Sequence, residues 1–529
     1  TRLGSYFSAA MMYSEQTTGL SFFEFIKKLA AANEAEMDKH IAVLETVAKK
    51  LFTRANMSVM LSGDEEQYSA AKQALPAVID ALEAAGYRAY AVGGCVRDAL
   101  LGTAPSDYDV TTSALPYEVC GVFAADTVIP TGIKHGTVTV LAHGEPIEVT
   151  TFRTDGSYTD RRKPDSVRFC RTLEEDLSRR DFTIGAIAYS ESDGIIDPYG
   201  GRRDIEHRVI RCVDDPQARL SEDALRILRA LRFSATLGFP IEPETDRALR
   251  ELAPLLNRIS AERCREELLR LICGRDAVRV LREYVSVLGV IMPELLPMVG
   301  FDQRNIHHIY DVYEHTLHVI GGTRQMPVLR LSALFHDIGK PSCYELGADG
   351  QGHFRGHPER STEIASGIMH RLRFDGETIR QVLLLVRWHD RQIEETERAV
   401  RRALNKLGLD MFFLLLELKV ADNLAQSPAY RDRKRSCEVL DSIAEEIIER
   451  GDCTERSGLE INGSDLIALG MHTGPEIGAV LEYIFEAVLS GELPNNRSEL
   501  LARAKELIGS DNAEFDPALN NASAHNKEE

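Results

Sequence analysis

The chain has 529 residues, 44% of them apolar, which is long enough for three or four domains with separate hydrophobic cores. Its 82 acidic residues outnumber 62 Lys and Arg, and the formal net charge of −20 argues against general nucleic-acid binding, which depends on phosphate contacts. No run approaches the ~18 apolar residues of a membrane span, and the first residues lack a signal-peptide pattern. We therefore expect a cytoplasmic protein without membrane contact.

Cysteine usage points the same way. The nine cysteines are spread singly and form no Cys-x-x-Cys pair. This pattern predicts reduced thiols and disfavours a disulfide framework or a zinc site.

The first segment, residues 1–73, has helical periodicity but carries no catalytic motif. Its wording, for example SYFSAAMMYSEQTTGLSFFEF, faintly resembles a non-catalytic part of insulinase-type zinc peptidases. No His-x-x-Glu-His signature exists in the chain, so peptidase chemistry is not supported. We interpret the segment as accessory or misjoined.

The most informative stretch, residues 92–109, joins a Gly-Gly turn, a short helix and an Asp-x-Asp pair. Gly93 and Gly94 let the backbone approach a triphosphate at a helix start, and Arg97 can add a bidentate charge. If Asp107 and Asp109 lie on one strand, they share a face and can hold the same Mg²⁺ ions. An ordinary turn followed by two solvated aspartates is the alternative for either half alone. The combination predicts nucleotidyl transfer.

This stretch resembles the first motif of the class II tRNA nucleotidyltransferase and bacterial poly(A) polymerase family. Further motifs of that family follow in order over residues 74 to 508. The resemblance implies an α+β fold: a nucleotidyltransferase palm with a mixed sheet, then an all-α neck, body and tail.

Short β-branched runs at 137–142 and 147–152 predict strands, and the second brings up Glu148. Its carboxylate can be the third acidic metal ligand of a two-metal site, or simply a solvent-facing strand residue. The polar loop 153–169 matches a flexible loop that CC-only enzymes lack. In the next motif the resemblance assigns nucleotide contacts to Arg179, Arg180 and Asp181, while Gly185 replaces the family's usual Asn.

The segment 221–235 matches the motif that selects the base. We expect Asp223 and Arg226 to share a helix face, so that Asp accepts from the exocyclic amine of cytosine or adenine while Arg donates to the ring nitrogen. G and U present the opposite order and would leave polar groups unpaired. Glu222 and Arg229 belong to the same motif and are included in the nucleotide site. A surface ion pair is the alternative.

A second group of residues, His315, the adjacent His336 and Asp337, and Asp422, resembles the ligand set of the HD phosphohydrolase superfamily. Imidazole and carboxylate ligands from separate helices can hold a divalent metal such as Ni²⁺, Mn²⁺ or Co²⁺ that activates water. His357 and His389 stand where some HD proteins hold a second metal or a phosphate, and Lys340 can contact a substrate.

Four basic groups are candidates for a local RNA-binding face, although each can equally be a solvated helix surface. They are Arg161 to Lys163, then Arg226, Arg229 and Arg232, then Arg398, Arg401 and Arg402, and last Arg431 to Arg435.

The resulting prediction is a CCA-adding tRNA nucleotidyltransferase that uses CTP, ATP and Mg²⁺ without a nucleic-acid template. The alternatives are an A-only adding enzyme, a poly(A) polymerase, or a phosphatase or 2′,3′-cyclic phosphodiesterase acting through the HD domain. The predicted segments are 1–73 (accessory), 74–205 (head), 206–275 (neck), 276–425 (HD domain), 426–511 (tRNA-binding tail) and 512–529 (disordered).

Overall fold

The computed structural model describes residues 65–105, 107–123, 127–155, 167–431 and 433–509. The predictions for residues 1–64, for the centre of the 153–169 loop and for 512–529 lie outside the described residues. The chain divides into two compact units. Of the described residues, one unit comprises those from 65 to 230 together with 239–259, and the other comprises 231–238 and those from 260 to 509.

Strands are concentrated in the first unit. In chain order they are β1 (Ala89–Val92), β2 (Asp109–Thr112), β3 (Val128–Gly132), β4 (Thr137–Ala142), β5 (Glu145–Thr151), β6 (Arg153–Asp155), β7 (Val167–Phe169), β8 (Ala188–Ser190) and β9 (Gly194–Ile196). The helices up to residue 252 are α1 (Glu65–Ala84), α2 (Gly94–Leu100), α3 (Pro116–Val122), α4 (Leu173–Ser178), α5 (Gly201–His207), α6 (Pro216–Glu222), α7 (Leu225–Leu237) and α8 (Pro243–Leu252).

Within the described part of the chain the main sheet has seven strands, in the order β3-β4-β5-β2-β1-β8-β9. Strands β2 and β5 pair in parallel, and their neighbours pair antiparallel. The predicted α+β fold with a mixed sheet is confirmed. Along β5 the side chains alternate, with Ile147 and Val149 buried and Glu148 exposed, because successive residues of a strand point to opposite faces.

Helix α1 packs against the sheet strands β1, β4 and β5. Its residues Ala74, Val78 and Leu82 are fully buried, and their spacing of four residues places them on one helical stripe. This stripe covers one face of the sheet. The opposite face is left for the chemistry-bearing side chains of β2 and β5.

The predicted strands 137–142 and 147–152 are observed as β4 and β5. The prediction that one helix carries both Asp223 and Arg226 is wrong. Helix α6 ends at Glu222, Asp223 is extended with φ −136° and ψ 103°, and α7 begins at Leu225. The Asp223 carboxylate accepts a hydrogen bond from the N–H of Leu225 at 3.0 Å, which favours starting a new helix at this position.

The second unit is almost entirely helical. After α7 its helices are α9 (Ala261–Ile272), α10 (Ala277–Glu283), α11 (Val285–Leu288), α12 (Val312–Gly322), α13 (Pro327–Phe335), α14 (His357–Arg371), α15 (Gly376–Trp388), α16 (Glu397–Leu407), α17 (Leu409–Ala425), α18 (Arg433–Glu449), α19 (Gly463–Ala468), α20 (Pro475–Leu489) and α21 (Arg497–Gly509). A two-stranded ribbon of β10 (Glu345–Leu346) and β11 (Gly352–His353) lies between α13 and α14 in the chain.

The core of this helical unit is built from pairs of packed helices, including α12 with α17, α13 with α15, and α14 with α15. Leu317, Leu334, Leu385 and Leu415 are fully buried there. Helices α19 to α21 have a core of their own around Leu466, Ile484 and Leu500. The boundaries between head, neck, HD domain and tail stay predictions.

Two further expectations concern membrane-spanning helices and disulfide bonds in the described part of the chain. No helix within it is long and apolar enough to cross a membrane. All nine cysteines lie in the described part, and none of them forms a disulfide.

Gly201, at the start of α5, packs closely against the backbone of Thr183 and offers a test of that contact. A Cβ added there would lie 2.1 Å from the carbonyl oxygen of Thr183 and 2.8 Å from a side-chain carbon of Ile187. Because backbone must shift to relieve this contact, we expect Gly201→Ala to lower the free energy of unfolding by about 1–3 kcal/mol in urea denaturation. Gly121→Ala is the control, since nothing lies within 4 Å of its added Cβ in helix α3. Equal stability of the two variants would contradict the packing argument.

Candidate functional site

The first candidate site begins at the Gly-Gly turn between β1 and α2. Gly93 adopts φ 78° and ψ −124°, which a side chain would strain, and an added Cβ would lie 2.8 Å from Nη1 of Arg180. Its N–H donates to the carbonyl of Ile187, so Gly93 contributes the shape of the turn rather than a donor. A Cβ on Gly94 would lie 3.9 Å from Oδ1 of Asp107 and 3.8 Å from Nη2 of Arg97. The turn, the arginine and the first aspartate are therefore neighbours.

The three predicted carboxylates lie around the β2–β5 pair. Asp109 is the first residue of β2, and its Cα is in register with that of Glu148 on β5. Asp107 precedes the strand and is exposed, so the expectation that both aspartates share one strand holds only for Asp109. Burial, followed by the charges of Asp107 and Glu148, raises the pKa of Asp109 to about 6, against the lowering influence of Arg180.

Like charges held together in this way favour a bound cation, because it relieves their repulsion. The ligand set consists only of oxygen atoms, which suits Mg²⁺ among the common divalent metals. Within the described residues, however, the carboxylates do not form one of the groups whose ligand atoms all lie within 4.8 Å. The structure brings them together as neighbours rather than as a closed cage.

Positive charge at this site comes from Arg97 and from the motif Arg179–Asp181. The guanidinium of Arg97 contacts the carboxylate of Asp98 at 2.7 Å. Asp181 accepts a hydrogen bond from Nε of Arg229 at 2.5 Å and one from the N–H of Phe182 at 2.9 Å. Burial opposes its ionisation, yet Arg229 lowers the pKa of Asp181 below its usual value.

The segment that we expect to select the base is held by internal hydrogen bonds. Nη1 of Arg226 donates to Glu222 at 2.5 Å and to the carbonyl of Arg219 at 2.7 Å. Nη2 donates to the carbonyl of Arg179 at 3.1 Å. Arg226 is buried and has one orientation set by these contacts. Asp223 lies three residues before it at the break between α6 and α7, so the two are neighbours in sequence but not on one helix.

Two of the four basic groups expected on an RNA-binding face are engaged in ion pairs, and in the group Arg431 to Arg435 Lys434 lies 3.6 Å from Glu438. Arg226, Arg229 and Arg232 pair with Glu222, Asp181 and Glu267, respectively. Arg401 and Arg402 pair with Asp452 and Glu486, and Arg398 lies 4.0 Å from Glu492. The group Arg161 to Lys163 lies outside the described residues.

The second candidate site is a buried cluster in the helical unit, to which separate helices contribute. His315 lies on α12, His336 follows α13, His357 begins α14, His389 follows α15, and Asp422 lies on α17. Asp337 lies among them: Oδ2 is 3.5 Å from Nε2 of His315 and 3.2 Å from Nε2 of His336, whereas Oδ1 is 3.3 Å from Nε2 of His357 and 3.6 Å from Nε2 of His389. Oδ1 of Asp422 is 3.0 Å from Nε2 of His315.

Three of the histidines are oriented by the backbone. Nδ1 of His336, His357 and His389 lies 2.6–2.9 Å from the carbonyl oxygens of Ala333, Phe354 and Val386. If each Nδ1 carries the proton, each Nε2 presents a lone pair to the cluster, which is the arrangement that metal-binding histidines use.

Two triads in the cluster are close enough to hold metal ions: His315, His336 and Asp337, and Asp337, His357 and His389. Asp337 belongs to both. Burial alone would raise its pKa, but His336 and Lys340 hold it well below the usual value, and Nζ of Lys340 lies 2.7 Å from Oδ2. A cavity of about 900 Å³ opens onto Asp337, Lys340, His357, His389 and Asp422. Each of these side chains was named as a candidate from the sequence, and the structure brings them together.

Two residues near the sites were not identified from sequence. His308 lies 3.5 Å from Lys340 and packs edge-to-face on His315 at 4.9 Å, and burial followed by the charge of Lys340 lowers its pKa to about 2. Asp176 contacts both Arg179 and Arg180. Its position three and four residues before these arginines was the signal that could have found it.

Comparison with known proteins finds three family models that match parts of the chain. Residues 89–211 match the family model of the poly A polymerase head domain, and 238–298 match the model described as a probable RNA and SrmB-binding site of polymerase A. Residues 359–504 match a putative domain 2 of tRNA nucleotidyltransferases. A CCA-adding enzyme of Leuconostoc mesenteroides is 35% identical over 438 residues, which is 82% of this chain and 96% of the relative.

The chain belongs to the CCA-adding enzyme family. A CCA-adding enzyme of Lactiplantibacillus plantarum is 33% identical over 84% of this chain and 99% of its own length. A solved structure of the Bacillus stearothermophilus CCA-adding enzyme in complex with CTP has a TM-score of 0.60 and 30% identity, and covers 83% of this chain and 98% of its own. The chain is therefore a tRNA nucleotidyltransferase, and the predicted family and enzyme class are confirmed.

Proposed function

We propose that this CCA-adding enzyme completes the 3′ end of tRNA from CTP and ATP at the central parallel pair β2–β5 of the sheet, with Asp107, Asp109 and Glu148 as the ligands of Mg²⁺. The observation that carries this assignment is the register of Asp109 with Glu148 beside the Gly93–Gly94 turn. A divalent cation bound there supplies activation of the 3′-hydroxyl and neutralisation of the departing pyrophosphate.

The nucleotide lies, in this proposal, against Arg97, Arg179, Arg180 and Asp181. Guanidinium groups match phosphate oxygens in geometry and charge, and the half-buried position of these arginines strengthens the interaction. The ion pair between Asp181 and Arg229 sets the position of the motif Arg179–Asp181 relative to α7.

Base selection is assigned to Asp223 and Arg226. The three internal hydrogen bonds of Arg226 support this role, because a reader whose orientation is already fixed cannot adapt to the opposite donor and acceptor order of G or U. Glu222 takes part by orienting Arg226. In place of a nucleic-acid template, the hydrogen-bonding groups of Asp223 and Arg226 then select the base.

The buried histidine cluster supports a second candidate function, a metal-dependent phosphohydrolase. Its six side chains offer imidazole and carboxylate ligands, and the two triads share Asp337. We infer that the second triad binds a metal rather than a phosphate, because Oδ1 of Asp337 faces it and would repel an anion. A metal held there lowers the pKa of bound water for attack on a phosphoester. The cavity above the cluster is large enough for a nucleotide-sized ester.

The choice between CCA addition and A-only addition is tested with three tRNA transcripts that lack CCA, CA or A. We expect CTP to extend the first by two residues, and ATP to extend only the third when it is supplied alone. Extension of a CC-ending transcript with no use of CTP on the others would identify an A-only enzyme. Long untemplated A tails would identify a poly(A) polymerase.

The metal site is tested by Asp107→Ala and Asp109→Ala. Each change should lower nucleotide addition by roughly a thousandfold or more, because electrostatic stabilisation of the transferring phosphoryl group is the largest catalytic contribution. Glu191→Ala, at the exposed turn between β8 and β9, is the control and should keep full activity. Substantial addition by a folded Asp109→Ala protein would remove Asp109 from the catalytic site.

Base selection is tested by Asp223→Ala and Arg226→Ala with all four nucleoside triphosphates. Losing one partner of a base-reading pair should cost about 1–3 kcal/mol of discrimination, measured as the ratio of kcat/KM for CTP to that for UTP. Arg250→Ala removes an arginine paired with Asp246 on α8 and should leave the ratio unchanged. Unchanged misincorporation in both test variants would exclude these residues as readers of the base.

The histidine cluster is tested by the double variant His336→Ala/Asp337→Ala. It should lose hydrolysis of p-nitrophenyl phosphate and 2′,3′-cyclic AMP in Ni²⁺, Mn²⁺ or Co²⁺, while tRNA addition is retained. His318→Ala, an exposed position one turn along α12 from His315, is the control. If the wild type hydrolyses neither compound with any of these metals, the phosphohydrolase assignment fails. Loss of addition by a folded double variant would show that the two activities are coupled.

A further inference from the structure

A buried carboxylate beside the nucleotide site has no role in the mechanism described so far. Asp176 lies on the short helix α4, and its side chain is completely shielded from solvent. It is not one of the three carboxylates assigned to the metal, and it does not belong to the Arg179–Asp181 motif that follows it.

Asp176 makes contacts with three separate segments of the first unit. Its Oδ2 accepts a hydrogen bond from the hydroxyl of Thr111 on β2 at 3.1 Å, and its Oδ1 accepts one from the N–H of Arg153 at the start of β6 at 3.3 Å. Oδ1 also accepts from Nε of Arg179 at 2.9 Å, and Oδ2 lies 3.6 Å from Nη2 of Arg180. One carboxylate thus joins both arginines to the strand that carries Asp109.

The position of Thr111 makes this link specific. Thr111 is two residues after Asp109 on β2, so both side chains project to the same face of the sheet. A hydrogen bond to Thr111 therefore fixes the arginines relative to the metal-binding face, and not merely relative to the core.

The charge of Asp176 also matters, because burial of an unpaired carboxylate is strongly unfavourable. Two guanidinium groups, a hydroxyl and a backbone N–H offset that cost. An apolar side chain of similar volume would fill the same space without needing these partners. What the carboxylate adds is a fixed direction for Arg179 and Arg180.

Arg180 has a second anion within reach. The Arg180 guanidinium lies against the Gly93 turn, and the next residue, Gly94, borders Asp107. Arg180 also interacts electrostatically with Asp109. Nη1 of Arg180 also donates to the carbonyl of Gly185 at 3.3 Å, so without Asp176 the guanidinium keeps this contact and the attraction of the carboxylates of Asp109 and Asp181. An Arg180–Asp109 ion pair would compete directly with a cation.

We propose that Asp176 is a positioning residue that holds Arg179 and Arg180 toward the nucleotide and keeps Arg180 away from the metal-binding carboxylate Asp109. The inference rests on the proposed function, since it takes Arg179 and Arg180 as nucleotide contacts and Asp109 as a metal ligand. It assigns the buried carboxylate two measurable effects, one on nucleotide binding and one on the requirement for divalent metal.

The test compares Asp176→Asn, Arg180→Gln and the double variant in the full-length chain. We measure kcat and KM for CTP, and the Mg²⁺ concentration that gives half-maximal addition. Asp176→Asn should raise the KM for CTP roughly tenfold or more, since hydrogen bonds to charged groups are lost, and should raise the Mg²⁺ requirement several-fold. Arg180→Gln should raise the KM for CTP but not the Mg²⁺ requirement.

The double variant decides between a positioning and a structural role. If Asp176 acts through Arg180, adding Arg180→Gln to Asp176→Asn should return the Mg²⁺ requirement to the wild-type value, and the two changes should not be additive. A structural role predicts instead a lower kcat in proportion to the folded fraction, with KM and Mg²⁺ requirement unchanged. That result would overturn the inference.

Two controls separate the failure of this inference from failure of the proposed function. Glu174→Gln alters an exposed carboxylate on the same helix and should change nothing. If Arg179→Ala and Arg180→Ala leave the KM for CTP unchanged, the nucleotide site itself is wrongly placed. If they raise it but Asp176→Asn does not, only the role of Asp176 is refuted. Should Asp176→Asn fail to fold, Thr111→Val removes the link to β2 alone, and an unchanged KM for CTP in that variant would refute the role.

Discussion

The parallel pairing of β2 with β5 is the constraint on which the proposed catalytic site of this enzyme depends. Every other neighbouring pair in the main sheet is antiparallel. The parallel register sets Asp109 opposite Glu148, although they are far apart in sequence. Because side chains alternate along a strand, both carboxylates face away from the buried Val110 and Val149. The fold thus concentrates negative charge on one face of the sheet.

Concentrated charge must be balanced, and the two candidate sites balance it differently. In the sheet unit, buried carboxylates are paired with arginines, which stay charged at all relevant pH values and can also bind phosphate. In the helical unit, Asp337 and Asp422 are surrounded by histidines and one lysine. Neutral imidazole binds transition metals well, whereas guanidinium does not bind metals. Pairing with arginines therefore suits phosphate binding in the sheet unit, and pairing with histidines suits a transition metal in the helical unit.

Local sequence patterns predicted a large part of this arrangement. Alternating β-branched residues identified β4 and β5, and the resemblance to HD phosphohydrolases identified the residues of the helical cluster. The pattern could not reveal the break at Asp223, because Glu222 and Leu225 to Leu237 continue a helical periodicity on both sides of it. Nor could it show that Asp337 lies between two pairs of histidines, since that geometry depends on the packing of helices that are distant in sequence.

The same limit applies to positive charge. A row of arginines at helical spacing is typical of a surface that binds phosphate, but a sequence does not show which carboxylates lie nearby. Here Arg401 and Arg402 are held by Asp452 and Glu486 from other segments of the helical unit. A phosphate that displaced either carboxylate would leave an acidic group unpaired beside it, which reduces the gain from the new contact. In a chain with a net charge of −20, the local pairing of each arginine therefore matters more for RNA contact than the number of arginines in a cluster.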